Sequence, residues 1–264
     1  MPLAIEPIRR MRGGAQAQLM RCADGGYYVV KFQNNPQGVR ILVNELLATR
    51  LAERLGLPTP AAAVVEVREE LIRNTADMVI QLGRGRCPYK AGLQFGSRYP
   101  GSPADCAVYD FLPEEALAQT ANLRDFCGML AFDKWTCNTN GRQAIFFRRS
   151  AETRYQAQMI DNGFCFNAGE WNFPDAPLRG LYARHRVYES VTGIDSFEPW
   201  LSRIERMDMD ALGDLAGEIP PEWYNAAADA LERMIEHLAR RRKLVRELIV
   251  SAWQSTAQPF ANWK

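Results

Sequence analysis

The sequence predicts an α+β fold in two lobes, β-rich over residues 1–112 and mainly helical over 113–264. Three observations carry this. The first third alternates short runs rich in Val, Tyr and Phe with Gly and Asp turn signals, the pattern of strands. One helical period interrupts them, from Val39 to Leu55. Beyond Leu117 the period is mostly helical, broken by one pair of short strands. A chain of 264 residues is long enough for two lobes of a single domain to share a cleft.

Taken in order, Gln16–Cys22 and Tyr27–Phe32 flank Ala23-Asp-Gly-Gly26, a hairpin turn signal, and Gly13-Gly14 stands just before the first of these strands. The next helix carries apolar residues at 42, 43, 46, 47, 51 and 55, and Gly56 and Pro58 stop it. Ala61–Val67 and Thr75–Gln81 read as strands. Gly83–Pro103 holds five glycines and three prolines and reads as a loop with a short strand at Leu93–Phe95. Its Arg84, Arg86, Lys90 and Arg98 belong to a solvated basic loop. Ala107–Pro113 is an apolar strand running into a bend, and Leu117–Lys134 is helical. An irregular aromatic segment spans Phe164–Trp200. Pro221 then suits the first turn of a long helix reaching Ser251. The basic run Arg240–Lys243 is expected on its solvated face, with Trp135, Trp171, Trp200 and Trp223 as core anchors.

The 32 basic and 31 acidic side chains leave a net charge of +1, so no overall field draws nucleic acid or an anionic membrane. No run approaches the roughly 20 apolar residues of a membrane span, and the N-terminus lacks an apolar signal core. Six scattered cysteines form no Cys-x-x-Cys pair, and only His185 and His237 could join them, which argues against structural zinc. A cytoplasmic protein with reduced thiols is expected, without direct nucleic-acid or membrane partners.

The chemistry concentrates in Phe132–Phe147 and Gln158–Phe164. A polar loop, Asn138-Thr-Asn140-Gly141, separates a helical run from an apolar strand. One hairpin later Asp161 follows a strand and precedes Asn162-Gly163, where the chain turns away. Asp-Asn-Gly is also a common turn. At the mouth of a cleft, however, such a carboxylate would ligate magnesium bridging nucleotide phosphates. Upstream, Lys31 ends a strand near Gly13-Gly14, and Glu45 lies among apolar helix residues where a carboxylate needs a partner. Lys31 is the natural one. Gly13 and Gly14 would let backbone amides approach phosphate, and Tyr109 and Phe111 are candidates for an adenine-binding hinge.

These landmarks resemble the HipA-like kinases, in the compact branch without HipA's extra N-terminal domain, and more distantly phosphoinositide and other atypical kinases. The stretches that carry the likeness are Tyr-Tyr-Val-Val-Lys31, Asn-Glu45-Leu-Leu-Ala, Gly-Leu-Pro-Thr-Pro60, Phe-Asp133-Lys-Trp-Thr-Cys-Asn138, Ile-Asp161-Asn-Gly and Pro-Pro-Glu-Trp223-Tyr. The resemblance implies a kinase-like fold binding ATP and Mg2+. Lys31 would sit on the phosphates, Glu45 would hold it and Asp161 would take the metal, with transfer of the γ-phosphoryl group to an unidentified protein or small-molecule hydroxyl.

The catalytic loop departs from the family pattern. Asn140 stands where an aspartate base is expected and Arg142 where a histidine is expected, and the second metal-binding asparagine has no clear counterpart. An amide cannot accept a proton usefully. A second register, Asp133-x-x-x-x-Asn138, has protein-kinase spacing, with Asp133 as base and Asn138 on the metal. It leaves five residues before the strand at Ala144, which favours the first register. Two functions follow, an ATP-dependent kinase or a nucleotide-binding pseudokinase that regulates a partner.

Overall fold

The computed structural model describes residues 1–149 and 152–264. Strands β1 (Ala4–Arg10), β2 (Gln18–Cys22) and β3 (Tyr27–Lys31) lead into helix α1 (Arg40–Arg54). Strand β4 (Ala62–Val67), the short α2 (Glu69–Arg73), the hairpin β5 (Val79–Leu82) and β6 (Gly85–Pro88), and β7 (Gly92–Arg98) follow. The rest comprises β8 (Val108–Tyr109), α3 (Glu114–Ala118), α4 (Asp125–Thr136), β9 (Gln143–Phe147), β10 (Gln156–Ile160), α5 (Trp200–Glu205), α6 (Met209–Gly217), α7 (Ala228–Arg241) and α8 (Val245–Trp253). Antiparallel sheet precedes helices, the two-part α+β architecture.

The first sheet has the order β1-β2-β3-β7-β4, and β10-β9-β8 form a second. Asp24 makes the β2–β3 turn by accepting from Gly26 N at 2.9 Å, with Gly25 at φ +76°. Helix α1 ends in a Schellman turn: Gly56 (φ +72°) donates to Glu53 O at 3.0 Å and Leu57 to Ala52 O at 2.9 Å. Eleven of its residues, Asn44 and Glu45 among them, are buried, because sheet and helices cover it from opposite sides.

Several expected elements take another form. β1 is an added edge strand, hard to read because Pro7 and two register shifts interrupt its alternation. The glycine-rich segment holds all of β7, the strand between β3 and β4. Gly96 is there for space, since a Cβ would lie 2.4 Å from Val65 Cγ2. The strand expected at Ala107–Pro113 shortens to two residues, and Leu117–Lys134 divides between the end of α3 and α4. The long terminal helix is broken. Asn225 and Ala226 take left-handed φ near +53°, and Arg242 Nε reaches back to Ala239 O at 2.7 Å where α7 gives way to a 3-10 turn. Arg241, expected in solvent, is 2% exposed and bonded to Asp175, Lys134 O and Trp135 O.

One apolar core runs from α1 and Phe95 through α4, β9 and β10 to α8, and a smaller one fills the sheet's other face against α2 and the β5–β6 hairpin. Trp135, Trp171, Trp200 and Trp223 are all buried in the larger core. The six cysteines are unpaired, and no helix among the described residues is long and apolar enough to cross a membrane.

Candidate active site

The β9–β10 register brings the two polar loops together. Gln143 opposes Ile160, so the residues before β9 and those after β10 leave the same end of one hairpin. Gln143 Nε2 donates to Asp161 Oδ2 at 2.7 Å. Asp161 itself is left-handed (φ +60°), a conformation short polar side chains tolerate, and this turns the chain back towards α1.

Lys31 lies between two carboxylates. Its Nζ donates to Asp161 Oδ1 at 2.6 Å and to Glu45 Oε1 in a close pair, with the lysine side chain only 12% exposed. Glu45 also accepts from the backbone amides of Asn162 (3.0 Å) and Gly163 (2.9 Å). The carboxylate therefore fixes both the lysine and the loop after Asp161. Burial alone would lower the Lys31 pKa, but Glu45 and Asp161 outweigh it and hold the ammonium above the ordinary lysine value. Burial would raise Asp161, and the charge and hydrogen bond of Lys31 overcome this and hold it below the usual carboxylate range. Gly163 leaves room for this approach, since a Cβ there would sit 2.7 Å from Ile41 Cγ2 and 3.2 Å from Glu45 Oε1 and force one of them to shift.

The loop before β9 rests on a buried brace. Asp133, 1% exposed, is gripped by Arg142 through Nε (2.8 Å to Oδ2) and through Nη2 to Oδ1. Arg142 Nη1 continues to Ile160 O (2.8 Å) and Asn162 Oδ1 (3.0 Å), tying the two loops together. Asn138, also 1% exposed, donates to Asp133 Oδ1 at 3.0 Å and accepts from Asn140 N at 3.1 Å. Neither Asp133 nor Asn138 lines the cleft. The Asp133-to-Asn138 register is thus a support under the loop, because both side chains spend their hydrogen bonds on the loop and on Arg142. Asn140 is exposed and does line the cleft.

The cleft between sheet and hairpin encloses about 350 Å³. Lys31, Glu45, Asp161, Asn140 and Gln143 line its polar side, and Val29, Phe95, Val108, Ile145 and Met159 its apolar side. Gly13 and Gly14 line it as well, in the β1–β2 turn rather than at a strand start. Among the described residues no protein acceptor meets the amides of Gly13, Gly14 and Ala15. Tyr109 and Phe111 do not border the cleft, although Val108 does. Tyr109, turned away from Val108 by strand alternation, packs edge-on against Tyr155, and Phe111, beyond the end of β8, lies under the Arg184 guanidinium.

Sequence reasoning missed three contributors and the bracing role of a fourth. Asn44 donates to the carbonyls of Gly163, Cys165 and Ala168, and Thr49 receives Asn162 Nδ2 at 3.1 Å. Arg142 and Gln143 complete the set. Asn44 and Thr49 are polar residues among apolar helix neighbours, Gln143 is an exposed residue at the start of β9, and Arg142, marked in the sequence by its place at the family's histidine position, lies in the loop before it.

No group of three or more His, Cys, Asp or Glu side chains among the described residues forms a ready metal cage. Asp161, which Gln143 meets through its amide nitrogen, is a partly exposed carboxylate at the cleft and so a hard-oxygen ligand. It fits a magnesium ion whose remaining ligands are phosphate oxygens and water.

Comparison with solved structures gives kinase folds. The chain is similar to the Helicobacter pylori proinflammatory kinase CtkA at TM-score 0.56 and 14% identity, covering 95% of this chain and 96% of that one. It is also similar to the Golgi casein kinase at TM-score 0.50 and 12% identity, covering 96% and 75%. Comparison with curated proteins gives no match. The family description "HipA-like kinase" matches residues 4–253, nearly the whole length, and the chain belongs to that kinase family.

Proposed function

We propose that the cleft binds Mg–ATP and passes the γ-phosphoryl group to a hydroxyl of an external acceptor. The observation that carries this reading is Lys31 bridged between Glu45 and Asp161 at a cleft with one polar and one apolar wall. A strand lysine held by a helix glutamate is the phosphate-positioning device of kinases, and a following aspartate is their metal ligand. Lys31 would draw phosphate oxygens as Asp161 turns to magnesium. The free amides of Gly13, Gly14 and Ala15 suit the outer phosphate oxygens. Val29, Phe95 and Met159 offer a base the apolar wall. Magnesium would supply charge neutralisation between phosphates, and Glu45 keeps the lysine aimed throughout.

Asn140 occupies the place of the base and cannot take the acceptor's proton. Transfer in this class rests mainly on positioning and electrostatics, so a low rate survives without a base. The same residue favours a second reading, a nucleotide-binding module that regulates a partner with little transfer. Thermal unfolding with ATP, with and without magnesium, tests the shared premise. A magnesium-dependent rise in Tm that vanishes in Lys31→Ala and Asp161→Ala is expected. No shift at millimolar ATP would remove both readings. Asn140→Asp then separates them, since a marked gain in turnover identifies an intact kinase cleft lacking only its base.

A further inference from the structure

The chain contains two Asn-Gly dipeptides, Asn140-Gly141 and Asn162-Gly163, and both lie at the cleft. Asn-Gly is the sequence most open to deamidation, because the glycine nitrogen meets no side-chain obstruction when it attacks the asparagine side chain. The fold treats the two pairs oppositely.

Asn162-Gly163 is locked. Asn162 is 1% exposed, its Nδ2 held by Thr49 and its Oδ1 by Arg142, and the Gly163 nitrogen donates to Glu45. Neither reactive group is free to move towards the other. Asn140-Gly141 is open. Both residues are exposed, and the Gly141 nitrogen donates at 2.9 Å to Asn140's own Oδ1, so the two groups stay side by side with no third described residue holding either. Among the described residues nothing accepts from Asn140 Nδ2, the group that would leave. The flanks are pinned, with Gly180 N on Asn140 O (3.1 Å) and Arg142 N on Leu181 O (3.1 Å).

From this contrast we infer that Asn140-Gly141 is a self-processing site whose deamidation supplies the carboxylate missing from the cleft. The Gly141 nitrogen bonds to Asn140 Cγ, loses its proton to water, and ammonia departs with the amide nitrogen, leaving a succinimide. Water adds at Cγ, the new C–N bond breaks, and the side chain becomes a carboxylate on an unaltered backbone. The balance is one water consumed and one ammonia released, with no oxidant, reductant or second enzyme. Opening at the backbone carbonyl instead would insert an extra carbon into the main chain. The two pinned flanks oppose that lengthening and favour the ordinary aspartyl product. The chain would then be made with an inert base position and mature with time.

The inference rests on the proposed function for its consequence, but not for its chemistry. Purified protein is aged at mildly alkaline pH, and peptide mass mapping follows the amide-to-acid mass increase at positions 140 and 162, with aspartyl and isoaspartyl products separated. Phosphoryl release from ATP is measured on the same samples, beside Gly141→Ala and Asn140→Asp. Gly141→Ala should fold, since an added Cβ meets nothing closer than Leu181 O at 3.5 Å. Position 140 is expected to convert well ahead of position 162, and turnover to rise in step towards that of Asn140→Asp. Gly141→Ala should stay amidated and slow. Conversion at 140 no faster than at 162 would overturn the inference. If 140 converts to aspartate yet Asn140→Asp, shown to bind Mg–ATP by thermal shift, has no turnover, the site is real and the base assignment falls.

Discussion

Arg142 and Asp133 form an ion pair with both side chains fully buried, and its two members depend on each other. Replacing Arg142 by Met should cost about 3–5 kcal/mol, because a carboxylate is left buried without its partner. Urea denaturation measures it, and a loss under 1 kcal/mol would mean that the pair carries no structural weight. Asp161 carries a pH signature. Its carboxyl titrates below the ordinary value when folded, so its contribution is complete above the unfolded pKa of about 3.9 and disappears as pH falls through the folded value. The Tm difference between wild type and Asp161→Asn should therefore be constant from pH 8 to about pH 5 and shift in favour of the variant below about pH 4. Lys31 and Glu45 are legible in the sequence because a carboxylate set in an apolar pattern demands a partner, and Asp161 because it stands between the end of a strand and an Asn-Gly turn. Arg142, Asn44 and Gln143 are not, since their partners are backbone carbonyls and side chains chosen only by the tertiary register.

Elements with a clean period are readable: α1, the β2–β3 hairpin and the β9–β10 pair stand close to where the apolar spacing puts them. β7 is readable only in its middle, Leu93–Phe95, because Gly96, which makes its far half look like a loop, is what allows β4 to pack beside it. Gly96→Ala should destabilise the protein by about 1–3 kcal/mol through overpacking against Val65. Restoring space with Val65→Ala in the same chain should recover part of the loss, and a double variant no better than the sum of the singles would refute the contact. The terminal helix misleads for the opposite reason. Its period persists through α7 and α8, and the interruptions are marked by left-handed Asn225 and Ala226 before α7 and by Arg242's side chain turning onto Ala239 O after it.

Across the whole molecule, the larger core joins residues of α1 and β7 with every helix from α4 to α8. Unfolding should accordingly be one transition. All six tryptophans follow residue 112, so their fluorescence reports the second half, whereas far-ultraviolet dichroism reports both. Coincident denaturation curves are expected, and an earlier loss of dichroism would mean that the first sheet melts independently.

Asn44, Glu45 and Thr49 grip the segment 162–168 with six hydrogen bonds, although α1 is flanked in sequence by strands of the first sheet. In mechanical terms α1 is a passenger of the helical half. On the proposed reading, a nucleotide would not be admitted by swinging α1 outward, because that would break the hydrogen bonds to the loop that follows Asp161. The β1–β2 turn, with Gly13 and Gly14 at the cleft, is tied instead to the β5–β6 hairpin through Gln16 and Gln81, and β1 begins beside a bridge from Leu3 to Glu66 of β4. Hydrogen exchange should find the amides of α1 as slow as those of α4, with β1 and its turn faster than both.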